Sequence, residues 1–222
     1  MKLVNEILPV ELMWNENEFI TLVIEDSNLF TQLAYDFINN KEQEKWILSE
    51  NGKLLDVSKY SDVIFNPLTI SLNQRKMINK LYELCEVNIK TNEMLFKWNM
   101  LQNSFISFID ELINCFDYDL QYSEKLDVKD ILKVVDLKFN ENSTIIEKIL
   151  DYLVLVNDIL KIKLFVFLNI KTYLGLNELR YIIEQAQYHK FNILLIERFD
   201  AFEKIEDEKI VIVDKDKCVI MK

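Results

Sequence analysis

Residues 71–116 contain neither glycine nor proline, and their apolar side chains recur at helical spacing. Leu81, Leu84, Ile89, Leu95, Trp98, Leu101, Phe105, Phe108, Leu112, Ile113 and Phe116 follow one another at intervals dominated by three and four. Unbroken, such a helix is a rod of roughly 69 Å at 1.5 Å per residue. That is too long for the interior of a compact domain in a chain of 222 residues. The segment must project, bend or find a partner. A second helical pattern, Ser143 to about Ile162, uses Ile146, Ile149, Leu150, Leu153, Val156 and Leu160. The spacing predicts that the two segments form an antiparallel pair.

Strand texture lies on both sides of this block. Phe19–Ile24 and Lys163–Ile170 are nearly continuous apolar runs rich in β-branched and aromatic residues, which read as strands buried on both faces. Ser27 is the expected N-cap of a helix through Leu29, Phe30, Leu33, Phe37 and Ile38. Asn51-Gly52 between two apolar runs predicts a hairpin, and Val63–Phe65 a short strand. A helix at Asn177–Lys190, a strand at Asn192–Glu197 and a last hairpin around Asp214–Lys217 complete the pattern. The simplest architecture is an α/β head made of residues 1–70 and 163–222. Residues 71–162 form a helical extension inserted into it.

Composition removes several kinds of chemistry. The chain has one histidine, His189, so no multi-histidine metal site exists. His189 reads as a helix-terminal cation that complements the dipole. Cys85, Cys115 and Cys218 form no C-x-x-C and are odd in number, which predicts reduced, mostly buried thiols in a cytoplasmic protein. The N-terminus is interrupted by Lys2, Glu6, Pro9 and Glu11 and does not read as a signal peptide, and no bilayer span is expected. After the first buried strand a P-loop would require glycines and a lysine, because backbone amides must converge on phosphates. This chain has Glu25-Asp26-Ser27-Asn28, and its two glycines, Gly52 and Gly175, lie elsewhere. No G-x-S-x-G elbow occurs.

The net charge of −11 is unevenly spread. Residues 1–70 carry 5 basic and 12 acidic side chains, whereas residues 163–222 carry 10 of each. The total therefore leaves room for a local basic face. Lys125, Lys129 and Lys133 are spaced by four and share a face wherever that segment is helical, with Lys138 nearby and Arg75, Lys76 and Lys80 near the start of the long helix. They read either as phosphate contacts or as a solvated face. Between Asp117 and Asp130 five carboxylates occur in 14 residues: Asp117, Asp119, Glu124, Asp127 and Asp130. Such a turn is either solvated, with Asp127 as an N-cap and Asp130 at N3, or a site for a hard cation such as calcium. It is not an EF-hand, because Tyr122 and Val128 occupy the positions that need glycine and glutamate.

Four stretches carry a family resemblance: Leu22-Val23-Ile24-Glu25-Asp26, Phe116-Asp117-Tyr118-Asp119-Leu120, Asp136-Leu137-Lys138-Phe139 and Phe165-Val166-Phe167-Leu168-Asn169. In this order, over essentially the full length, the chain resembles the ring-forming, DNA-end-binding adaptation protein of subtype II-A CRISPR systems. The resemblance implies a P-loop-ATPase-like α/β head that lacks the P-loop, with an inserted long-helix leg. It implies a non-enzymatic homotetrameric ring, calcium near the hinge, and sequence-independent binding of double-stranded DNA through its ends. It implies a role in spacer acquisition and antiviral defence beside the CRISPR integrase proteins and the effector nuclease. Asp119, Glu124, Asp127 and Asp130, with Asp117 behind them, are the side chains it offers to calcium; Lys125, Lys129, Lys133 and Lys138 are the ones offered to DNA. The competing reading is a metal-dependent nuclease or a degenerate NTPase built on the same carboxylates.

Overall fold

The structure, a computed structural model, describes residues 1–15, 18–141, 144–199 and 204–222. In chain order the strands are β1 (Lys2–Asn5), β2 (Leu12–Met13), β3 (Phe19–Ile24), β4 (Trp46–Glu50), β5 (Lys53–Leu55), β6 (Ser61–Ile64), β7 (Leu164–Leu168), β8 (Asn192–Glu197), β9 (Glu208–Val213) and β10 (Val219–Met221). The helices are α1 (Ser27–Ile38), α2 (Asn40–Gln43), α3 (Val57–Tyr60), α4 (Arg75–Ile89), α5 (Asn92–Ile113), α6 (Val128–Val134), α7 (Ile145–Leu160) and α8 (Leu176–His189). The fold is mixed α/β. Two compact units divide it: residues 1–71 with 141–222, and residues 72–140.

The first unit is the head. Its main sheet has the order β10-β9-β3-β8-β7-β6, parallel except for β10. Parallel strands are covered on both faces, which is why β3 and β7 read as unbroken apolar runs. Ile20, Leu22, Ile24, Val166, Leu194 and Ile196 join one core with Leu29, Leu33 and Phe37 of α1. The alternate residues Phe165, Phe167, Ile193 and Leu195 are buried too, as are Ile149, Leu153 and Val156 of α7 and Leu179, Ile182 and Ile183 of α8. A second sheet, β2-β1-β4-β5, is antiparallel. Trp46 of this sheet stacks on Phe37 at 4.1 Å and donates its indole N–H to the Leu33 carbonyl. Trp14 donates to the Ile193 carbonyl at 3.0 Å, tying the small sheet to the large one. Both indole donors are thereby satisfied in the interior.

Both expected hairpins form. Asn51 (φ 49°) and Gly52 (φ 75°) make the two-residue turn between Glu50 and Lys53, a geometry that needs positive φ at both positions. Asp214 closes the second by accepting from the Asp216 and Cys218 amides. The N-cap of α1 is Asp26 rather than Ser27: its carboxylate accepts from Leu29 N at 2.7 Å. β1 and β2 were not foreseen, being four and two residues long with alternating burial.

The second helical pattern belongs to the head. The expected start at Ser143 lies outside the described residues; the helix itself is α7. It packs on α8 and on the turn at Pro67–Thr69, and Tyr152 donates to Asp62 of β6 at 2.7 Å. The sheet supplies the apolar partner that the sequence reading had assigned to the long helix. The inserted unit therefore ends near residue 140, not 162.

The long helix is broken at Lys90–Thr91, leaving α4 and α5 of about 22 Å and 33 Å. Thr91 takes an extended backbone (ψ 146°) and its hydroxyl donates to the Asn88 carbonyl at 2.9 Å. Asn and Thr compete for backbone partners and terminate helices without glycine or proline. In the same unit Asn73 clamps the Phe139 backbone from both sides, donating to its carbonyl and accepting from its amide. The Tyr82 hydroxyl reaches the Leu137 carbonyl at 3.3 Å.

Candidate nucleic-acid interface

The lysines offered to DNA lie in the inserted unit, and each has an acidic neighbour. Lys129 and Lys133 sit on α6 one turn apart, but Lys125 precedes the helix, so the helical face holds two of the three. Lys125 pairs with Asp127 at 3.6 Å, Lys129 with Glu86 of α4 at 3.1 Å, and Lys133 with Asp130 at 3.0 Å. Lys138 pairs with Asp136, which holds its ammonium above the ordinary lysine range. These pairs are solvated, a class worth about 0–1 kcal/mol. Phosphate oxygens can displace such carboxylates at little cost.

The acidic turn is a solvated loop docked on α5. Asp117, Asp119, Glu124, Asp127 and Asp130 are all exposed. Tyr122 donates to Asp110 of α5 at 2.6 Å; this bond, first among the causes, pushes the phenol up to about 12. Gln102 of α5 donates to the Leu126 carbonyl at 3.2 Å. Asp127 occupies the N-cap position of α6 and Asp130 its N3 position, without a side-chain capping bond. Among the described residues, no three His, Cys, Asp or Glu side chains gather into a group able to hold a metal ion.

The head presents a different arrangement where an open α/β sheet ordinarily binds ligands, outside the carboxyl ends of the strands at the point where connections diverge. Here that point is the border of β3 and β8: β3 leads on to β6 at one edge, whereas β8 leads to β9 on the other side. Arg198, just after β8, donates to the Ile24 carbonyl at 3.1 Å and lies 5.8 Å from the Phe30 ring and 5.5 Å from the Phe199 ring. Asp26 already occupies the Leu29 amide at the N-terminus of α1 with a negative charge. A carboxylate on this amide competes with a phosphate for it. Titration with Mg-ATP will accordingly give no binding heat; micromolar affinity would contradict this.

Nothing local in the sequence marks Arg198, whose place depends on strand order. The sequence reading expected mostly buried thiols, whereas Cys115 and Cys218 are exposed and Cys85 is half-buried. Both exposed cysteines sit at polar chain turns, Cys115 after α5 and Cys218 in the last hairpin, where no core exists to cover them. Among the described residues, no helix is long and apolar enough to cross a membrane.

Exposed apolar side chains run along α5. None of its described residues is buried, although Phe96 (66% exposed), Met100 (56%) and Phe108 (60%) are among its side chains. Lone exposed apolar residues are ordinary; several along one helix of 22 residues make α5 a candidate interaction surface.

A mixed α/β head without a glycine-rich phosphate loop after β3 carries an inserted helical unit with exposed apolar side chains on α5. A family model described as CRISPR-associated protein (Cas_Csn2) matches residues 38–217. The chain belongs to this family, whose role is in CRISPR adaptation.

Proposed function

We propose that this chain is a non-enzymatic adaptation protein that assembles as a homotetrameric ring and receives double-stranded DNA through its ends, independently of sequence. The family match carries this reading, and α5 is its physical counterpart: an apolar helix that another copy can cover. The head, on this reading, is a P-loop-ATPase-like sheet without its phosphate loop, and Arg198 and Asp26 support that assignment. DNA binding by an acidic chain must come from local lysines lining an enclosed space, which makes it steeply salt-dependent. The CRISPR integrase proteins and the effector nuclease are the proposed partners in spacer acquisition. The test is duplex topology. Linear duplex will bind, and a covalently closed circle of the same sequence will not; equal affinity for both would refute entry through ends.

Calcium belongs to this proposal on a narrower footing. The turn supplies five exposed carboxylates, yet a hard cation of six to eight oxygen ligands needs donors gathered in space. Calorimetric titration in the presence of duplex will show calcium binding that is lost in Asp127→Ala and Asp130→Ala. An absence of heat at millimolar calcium would remove the ion from the function.

A further inference from the structure

Four elements of the head bring polar side chains together in its interior. Thr21 comes from β3, Lys171 from the 3₁₀ turn after β7, Glu197 from the end of β8 and Glu208 from the start of β9. Lys171 is 6% exposed, Glu197 4% and Glu208 2%. The Lys171 ammonium donates to Glu208 Oε1 at 2.7 Å, and the Thr21 hydroxyl donates to the same oxygen. Glu208 Oε2 accepts from the Ile205 amide at 2.8 Å. Both carboxylate oxygens of Glu208 are therefore engaged. Glu197 accepts from the Lys171 backbone amide at 3.1 Å, with no ion pair to the ammonium.

The charge count does not close. Two carboxylates and one ammonium are withdrawn from water together, and an uncompensated buried charge is costly. Lys171 and Glu208 are the charged groups that face Glu197 among the described residues. Arg198 is turned away to the Ile24 carbonyl. Burial, the largest cause, pushes Glu197 up to about 7; the Lys171 and Ile170 amides and the Lys171 charge oppose the shift, and the Glu208 charge adds to it.

We infer that the folded head holds one proton on Glu197 in mildly acidic solution, and that loss of this proton leaves a second buried carboxylate beside Glu208 with one ammonium between them, which destabilises the head where β8, the 170–172 turn and β9 meet. The cluster is a proton-sensitive latch between β8, the turn and β9. The sign follows from linkage. The folded state binds this proton more tightly than the unfolded chain does, so the stabilisation is complete below about 4.5 and is lost as the pH rises through about 7. The inference concerns the head alone and does not depend on DNA binding.

Urea unfolding of the full chain at pH 5, 6, 7 and 8 tests it, with Glu197→Gln alongside. The glutamine keeps the neutral, hydrogen-bonding form at every pH. Between pH 5 and pH 8 the wild-type unfolding equilibrium constant will rise roughly tenfold to a hundredfold more than that of the variant. Parallel pH profiles would overturn the inference. Should Glu197→Gln fail to fold, carboxyl NMR of the wild-type chain labelled in glutamate decides. One glutamate will titrate near pH 7; every glutamate titrating below pH 5.5 would overturn it.

Discussion

Phe96→Glu combined with Phe108→Glu will convert the assembled protein into a monomer of 26.6 kDa. Both side chains lie on α5 and are more than half exposed in the single chain, so their loss costs the monomer little. In an assembly that covers them, each phenylalanine is worth about 1.5–3 kcal/mol of transfer free energy. A glutamate in its place must also be desolvated without a partner. Two such sites in every copy amount to several kcal/mol, enough to move micromolar association beyond reach. Light scattering at micromolar concentration reads the mass, and circular dichroism confirms that α5 and the head remain folded. An assembly of unchanged mass would place the interface elsewhere.

The triple change Lys125→Glu, Lys129→Glu and Lys133→Glu will lower duplex affinity by at least a hundredfold at moderate salt, for every sequence alike. Each lysine now rests on a solvated carboxylate, so the free protein loses little when they are reversed. Bound DNA loses three phosphate contacts and meets three added repulsions. Each phosphate contact contributes about 0.9 to the slope of log affinity against log salt, so the slope will shrink by about 3. Fluorescence anisotropy over a salt series measures both quantities. Unchanged affinity, or a loss confined to one sequence, would remove these lysines from the interface.

Much of the head is legible in the sequence because its physics is local. β3 and β7 are apolar on both faces, and Asn51-Gly52 has the turn chemistry for positive φ. What failed depended on distant partners or on quieter punctuation. The Lys90–Thr91 break carries no glycine or proline; its signal is Asn88 and Thr91, residues that trade helical bonds for local ones. The periodicity of α7 is correct, but an apolar stripe does not say which surface covers it, and the head sheet does. Arg198 and Glu197 are adjacent in the chain and have opposite fates, one lying against the β3 carbonyl edge and the other interred beside Lys171. Nothing in their one-dimensional context separates them. The family resemblance came from the order of elements, and the match over residues 38–217 bears it out.

Native mass spectrometry of the full chain with a short linear duplex tests the central claim most directly. The account predicts one dominant species containing four copies of the 26.6 kDa chain and one duplex, and its absence when the duplex is offered as a closed circle. Monomers or dimers bound to DNA, or a tetramer that takes up the closed circle equally well, would contradict it.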